Sequence, residues 1–276
     1  MTNHTRFNQL LPVLALVAAG AVPAALHAQQ VSANDPWCQE TRGDSDRARA
    51  CEVREYTVPA TAATLTVDAA PNGGIKVSGS ARRDILVRAR VSANARTIEE
   101  ARALVSRVQV IATADRVSAD GPRDLPDREG WSVSFEIAAP GATPLSLSST
   151  NGGISVEAIK SRVEFKTVNG GVKLVRVGGE VSGKTSNGGI DVELDGTTWD
   201  GSGLDVETTN GGVRMSIPAA YNAHIEAATN NGGLHSDFPV TTTEGRRPQR
   251  ATADIGSGGP SLRVRTSNGG VHISRK

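Results

Sequence analysis

From Leu145 to Ile273 the chain alternates apolar and polar positions in short runs, and the runs are joined in pairs by one tripeptide, Asn-Gly-Gly. Copies begin at Asn151, Asn169, Asn187, Asn210, Asn231 and Asn268. Six and four positions before each Asn stand apolar or small side chains: Leu145 and Leu147, Val163 and Phe165, Val181 and Gly183, Leu204 and Val206, Ile225 and Ala227, Leu262 and Val264. Two positions before it there is always a short hydroxyl: Ser149, Thr167, Thr185, Thr208, Thr229 or Thr266. After the glycines come Ile154 and Val156, Val172 and Leu174, Ile190 and Val192, Val213 and Met215, then Val271 and Ile273. A period of two on both sides of a turn predicts strand, turn, strand, with one face inward. The copy at Asn231 departs by placing Ser236 where the second apolar residue belongs. A seventh copy at Asn72 lacks the preceding hydroxyl, which predicts a degenerate or capping member. Ser257-Gly258-Gly259 resembles a worn copy, but its short distance to Asn268 counts against that.

Two architectures can be written from this unit: a meander of independent hairpins, or a solenoid whose turns stack along one edge. Spacings of 18, 18, 23 and 21 residues from Asn151 to Asn231 suit short solenoid repeats. Stacking also explains why the turn keeps its identity. Asn side chains repeated every ~4.8 Å can form an amide ladder, and the hydroxyls a second row. Hairpin tips would drift among Asn-Gly, Asp-Gly and Gly-Asn. The turn glycines, Gly170, Gly171, Gly188 and Gly189 among them, are expected to supply positive φ. The outward positions keep no constant role. After each Asn they read Ser155, Lys173, Asp191, Arg214, His235 and His272, and before it Ser146, Glu164, Ser182, Asp205, Glu226 and Arg263. Such variation describes a solvated face, with Lys173, Asp191 and Arg214 forming a column of alternating sign.

Residues 53–140 are less regular. DILVRARVSA and WSVSFEIAA alternate as strands. Between them TIEEARALVSRV predicts the one convincing helix, with a capping box from Thr97 and Glu100 and an apolar face of Ala101, Leu104, Val105 and Val108. Placed at one end of the stack, this helix would cover strand edges left open there. Residues 120–130 read as a loop. The expected fold is all-β: a single-domain β-solenoid of stacked Asn-Gly-Gly rungs, 53–276, with one short capping helix and its regular repeats in 141–276.

The N-terminus changes the setting. Arg6, an apolar run from Leu10 to Ala25 and small residues to Ala28 have the order of a secretory signal peptide over 1–28. Its apolar run is too short, and too interrupted by Pro12, Gly20 and Pro23, for a spanning helix, and nothing downstream reaches the ~20 apolar residues one needs. The expectation is export to the periplasm, the cell surface or the medium. Cleavage removes one Arg and no acid, leaving 29 basic against 29 acidic residues. A balanced charge without basic runs argues against nucleic acid as partner. The two cysteines, Cys38 and Cys51, stand close together in segment 29–52, and in an exported chain such a pair reads as a disulfide. The loop between them contains Arg42-Gly43-Asp44-Ser45, a short match that chance explains.

Catalytic signatures are mostly absent. Only His224, His235 and His272 follow the leader, and there is no nucleophile elbow, no His-Glu-x-x-His and no phosphate-binding glycine loop. His235 and His272 share a repeat offset, which would let them meet across rungs, although surface histidines need no metal. No cofactor is expected. An enzyme reading would be a polysaccharide-active solenoid with paired carboxylates. Its candidates are Asp191, Glu193, Asp195, Asp205 and Glu207, but aromatic residues make up only 3% of the chain and leave few platforms for sugars.

The run of Asn-Gly-Gly copies, the WC…CEVRE start and the EEARAL helix together resemble the bacterial family of “putative adhesins” of unknown function, similar in style to the head domains of autotransporter adhesins. The resemblance implies an exported β-solenoid-like domain and an envelope setting, and it supplies no catalytic residue. The leading expectation is a non-enzymatic envelope protein that presents a rigid face to a partner protein or surface polymer. The alternatives are the polysaccharide-active enzyme and a periplasmic sensory or scaffold module of an envelope-stress system.

Overall fold

The computed structural model describes residues 30–39, 47–243 and 248–276. The proposed leader, 1–28, and the Arg42-Gly43-Asp44-Ser45 match lie outside the described residues. Two sheets of eleven strands each carry the fold. Each rung contributes one strand to each sheet: a leading strand that runs into Asn, and a trailing strand that starts after the glycines. Lys160–Asn169 leads and Val172–Val175 trails, for example. Neighbouring rungs pair in parallel in both sheets, and the register sets Asn on Asn: Asn151 on Asn169, then Asn187, Asn210, Asn268 and Asn231. Asn72 joins the row at its start through a bridge to Asn151. The inward side chains of both sheets, such as Phe165, Val206, Leu174 and Met215, form one continuous buried core. This is the expected β-solenoid.

The order of the rungs differs from the order of the sequence. The copy at Asn268 lies between those at Asn210 and Asn231: Ser261–Asn268 pairs with Gly203–Asn210 on one side and with Ala223–Asn231 on the other. The chain therefore builds the Asn231 rung one place out, adds Gln249–Ile255 antiparallel along its far side, and returns to fill the gap. Rungs stacked in sequence order would instead set Asn231 directly on Asn210. Surface charge fits the observed order. In the leading sheet it gives Asp205, Arg263, Glu226, whereas sequence order would set Asp205 beside Glu226. Like charges directly opposite on paired strands are destabilising.

The first rung, Leu65–Asp68 with Ile75–Ser80, is extended in the trailing sheet by Gly130–Pro140, Asp84–Ala95 and Ala48–Pro59. Helix Ile98–Arg107 carries the expected capping box, with Glu100 N–H bonded to Thr97 Oγ1 at 3.2 Å and Thr97 N–H bonded to Glu100 Oε2 at 3.0 Å. Its buried residues, Ala101, Leu104 and Val105, join the common core where it packs on Ala48–Pro59 and Asp84–Ala95. The helix thus covers a sheet face at this end. Arg54 reaches from the strand below to donate to the carbonyls of Val105 and Val108, at 2.8 and 2.6 Å, which satisfies the acceptors a helix leaves open at its C-terminus.

A single further helical turn, Pro36–Gln39, lies in the N-terminal segment and buries none of its residues. Gln30–Ser32 pairs antiparallel with Val53–Glu55, and Cys38 is bonded to Cys51, their Cα atoms 5.7 Å apart. Because the segment adds so little to the core, a Cys38→Ser, Cys51→Ser double variant should keep its far-UV circular dichroism and lose at most about 3 kcal/mol of stability, the chain-entropy value for so short a loop. Chemical denaturation of parent and variant measures this, and a variant without cooperative unfolding would contradict it.

Candidate functional site

The edge where the turns stack is the most regular feature of the molecule. Asn151 Nδ2 donates to Asn72 Oδ1 at 2.9 Å, and the bond recurs from Asn169 to Asn151, Asn187 to Asn169, Asn210 to Asn187, Asn268 to Asn210, and Asn231 to Asn268, all between 2.8 and 3.0 Å. Seven carboxamides form one unbroken chain, each interior one donating to one neighbour and accepting from the other. The hydroxyls make a row as well, but each donates to the first-glycine carbonyl of the adjacent rung. Ser149 bonds Gly73, Thr167 bonds Gly152, Thr185 bonds Gly170, Thr208 bonds Gly188, Thr266 bonds Gly211 and Thr229 bonds Gly269, at 2.7–2.9 Å. All six hydroxyl residues are buried, so each bond satisfies a side chain that has lost its water.

The glycines serve a purpose other than the expected positive φ. Gly170, Gly171, Gly188 and Gly189 are not among the residues with positive φ. A Cβ on the first glycine of a turn would instead stand 2.1 Å from the preceding rung's glycine oxygen, as for Gly170 over Gly152 and Gly188 over Gly170. The second glycines are less constrained: a Cβ on Gly189 would lie 3.3 Å from Gly212 O, and one on Gly171 would lie 3.5 Å from Gly189 O. Within the ladder only Gly269, at φ 159°, has a positive φ among the described residues, and the other positive-φ glycines are elsewhere. Gly258, φ 75°, turns the chain between Gln249–Ile255 and Ser261–Asn268, so the Ser257-Gly258-Gly259 run is a connector outside the ladder.

On the outer faces the charged side chains meet one another across rungs. In the trailing sheet the column reads Lys76, Ser155, Lys173, Asp191, Arg214, His272, His235. Arg214 lies 3.3 Å from Asp191. In the leading sheet Arg263 bridges Asp205 and Glu226, and Arg265 bridges Asp205 and Glu207. The Arg263 bond holds the Glu226 carboxyl below its usual range. A bond from Lys276 does the same for Glu193. The acid-rich neighbourhood read from the sequence is thus divided. Asp191 and Glu193 belong to one sheet, Asp205 and Glu207 to the other, and all four are tied to cations, while Asp195 is exposed two residues past the end of Ile190–Glu193. Paired carboxylates for glycoside cleavage must flank one bond from a common cleft; Asp205 and Glu207 do share a groove of about 540 Å³ on the leading face with Glu164, but both are paired there with Arg265. His235 and His272 stack in parallel with ring centroids 4.8 Å apart, and Asp237 lies 3.4 Å from His235. Among the described residues no group of three or more His, Cys, Asp or Glu is placed to hold a metal ion.

The N-terminal segment builds a raised feature on the trailing face that the sequence reading did not foresee. Arg88 pairs with Asp35, Glu55 and Glu136 at 2.7, 2.9 and 2.8 Å. Burial alone would lower its pKa, but the bonds to Glu55 and Asp35 outweigh that and raise it. Trp37 is stacked under Arg90, whose guanidinium carbon lies 4.8 Å from the ring centre. Beside the indole runs a groove of about 470 Å³ across the first rungs.

A family model described as Toastrack DUF4097 matches residues 57–274. Among solved structures, a “putative cell adhesion protein” from Clostridium sporogenes is 13% identical, covering 83% of this chain and 100% of its own, with a TM-score of 0.43. A “putative adhesin” from Bacteroides fragilis is 11% identical, covering 82% of this chain and 97% of its own, with a TM-score of 0.34. No curated protein matches the chain.

Two predictions separate the ladder from its alternatives. Gly188→Ala should cost about 2–3 kcal/mol, because its methyl must push a backbone carbonyl away, whereas Gly189→Ala should cost under about 1 kcal/mol. Thermal melts of the two variants decide it, and equal losses would return the explanation to turn conformation. Asn187→Asp removes the donor to Asn169 and sets a carboxylate against its carbonyl oxygen. The loss should be about 1–2 kcal/mol at neutral pH. That contact disfavours the charged form in the fold and raises the folded pKa, so the deficit should shrink as the introduced carboxyl protonates on acidification. A deficit that does not change between pH 7 and pH 4 would contradict the ladder's role.

Proposed function

The chain belongs to that Toastrack family, and from this premise we propose that it is an exported, non-enzymatic binding module whose rigid faces engage a protein or polymer of the cell envelope. The observation that carries the reading is the use of the outward side chains. Many of their ionic groups are joined to one another across rungs, as Arg214 is to Asp191 and Arg263 to Asp205 and Glu226, and the acids Asp205 and Glu207 that share a groove are both held by Arg265. What is offered outward is a fixed pattern of charge and hydroxyl groups on rungs locked at the Asn edge. Such a surface suits recognition, since little conformational entropy remains to be lost on binding. The order of residues 1–28 and the Cys38–Cys51 bond both suit export. No described helix is long and apolar enough to cross a membrane.

The test is saturable binding of the purified protein to envelope fractions of its own cells, with crosslinking in the intact envelope to identify what it touches. Saturable retention with no low-molecular-weight product is the expected result. Release of sugar fragments from envelope polymer would replace this reading with a hydrolase. Exclusive capture of a membrane signalling protein would replace it with a sensory module.

A further inference from the structure

We infer that the groove beside Trp37 binds an acidic oligosaccharide. The inference rests on the binding reading above and names its ligand class. It begins with the way the N-terminal segment is held. Pro36–Gln39 buries nothing, yet the segment is fixed by the Cys38–Cys51 bond, by the ion pair of Asp35 with Arg88, and by a 3.2 Å bond from Arg90 Nη1 to the Trp37 carbonyl. These restraints hold the indole as one wall of the groove.

The floor of the groove comes from the outward column of the first rungs. Lys76 and Lys173 lie in it with Ser155 between them, so the two cationic positions are separated by two rung spacings, about 9.6 Å. Lys173 makes no hydrogen bond or close ion pair to a described residue and acts on Glu193 only at longer range, where Lys276 already holds that carboxylate. Lys76 makes only a 3.5 Å contact to Glu136 and is more than half exposed. The acids that line the same groove have other partners, Glu136 at Arg88 and Asp191 at Arg214. The charge left for a ligand is therefore positive.

A ligand that answers both features has anionic groups spaced along an extended chain and flat apolar faces between them. Acidic sugars provide this: the C–H face of a pyranose ring packs on an indole, and carboxylates meet the lysines. An extended acidic peptide would satisfy the lysines but has no flat face for Trp37.

Isothermal titration with hexagalacturonate, against the neutral maltohexaose and a short polyglutamate, tests the assignment on the full exported chain. Hexagalacturonate should bind saturably and more weakly as salt rises. Trp37→Ala should weaken it about tenfold, as truncation of a central aromatic anchor does. Lys173→Gln should weaken it about threefold, the scale of one exposed ion pair. Circular dichroism and disulfide mapping establish that both variants are folded. Absence of hexagalacturonate binding, equal binding of maltohexaose, tighter binding of polyglutamate, or unchanged affinity in both folded variants would each overturn the inference. If a folded Trp37→Ala, Lys173→Gln double variant binds envelope fractions as the parent does, the groove assignment fails and the envelope reading stands. If the parent itself ignores the envelope, the envelope reading fails while the titration still decides the groove.

Discussion

The stack depends on how closely one turn sits on the next. At the first glycine of each rung there is no room for even a methyl group, because a backbone carbonyl lies where a Cβ would go, that of the adjacent turn in the stack and that of Val133 at Gly73. That approach brings each Asn amide within bonding reach of the next, and each buried hydroxyl onto a glycine oxygen. The glycine N–H is used as well, with Gly188 donating to Asn210 O at 3.0 Å and Gly211 donating to Asn268 O at 3.0 Å. Backbone spacing, amide ladder and hydroxyl row are thus one constraint met by three residue types, and none of the three can change alone without leaving a polar group unpaired.

Apolar burial supplies most of the free energy, and it chooses the neighbours only in part. The Asn210 and Asn268 rungs carry similar inward side chains, whereas the Asn231 rung, with Ala227 and Ser236, has less to bury and suits the outer place. Charge does distinguish the orders. Arg263 between Asp205 and Glu226, with Arg265 against Asp205 and Glu207, gives attraction on both sides of the inserted rung. Each pair is exposed and worth little for stability. Its larger effect is on specificity, because the alternative order sets two acids on adjacent strands. The same charges that select the order then have no freedom to act as catalytic groups.

Much of this was legible in the sequence because a period of two about a fixed tripeptide admits few arrangements. Identical residues at identical offsets must share an environment, and only stacking gives six hydroxyls and seven amides the same one. The capping box at Thr97 was legible for the same kind of reason, being local in the chain. The reason for the glycines was not. Asn-Gly-Gly suits a left-handed turn and a close backbone contact equally well as a string, and only the distance between rungs distinguishes them. The position of the Asn268 rung was hidden too. Spacing along the chain says nothing about order in space once a strand such as Gln249–Ile255 can run antiparallel and bring the chain back. Trp37 escaped notice because its importance comes from Arg88 and Arg90, some fifty residues away, and no short window contains that relation.

The molecule separates what must be constant from what can vary. The edge positions are fixed by neighbours on both sides, whereas Lys76, Ser155, Lys173 and Asp191 share one column and have nothing in common but their exposure to solvent. A solenoid can therefore exchange its face without renegotiating its core, provided the exchanged residues point outward. The limitation is that such a face is flat, and flat polar surfaces exclude little water and discriminate poorly between ligands. The N-terminal segment removes that limitation at one place. Covalently tied by its own disulfide and anchored at Arg88, it adds a wall without entering the core. Concavity on the trailing face is thereby supplied by the least regular part of the chain, whereas on the leading face the repeats themselves enclose a groove beside Phe165 and Gly183.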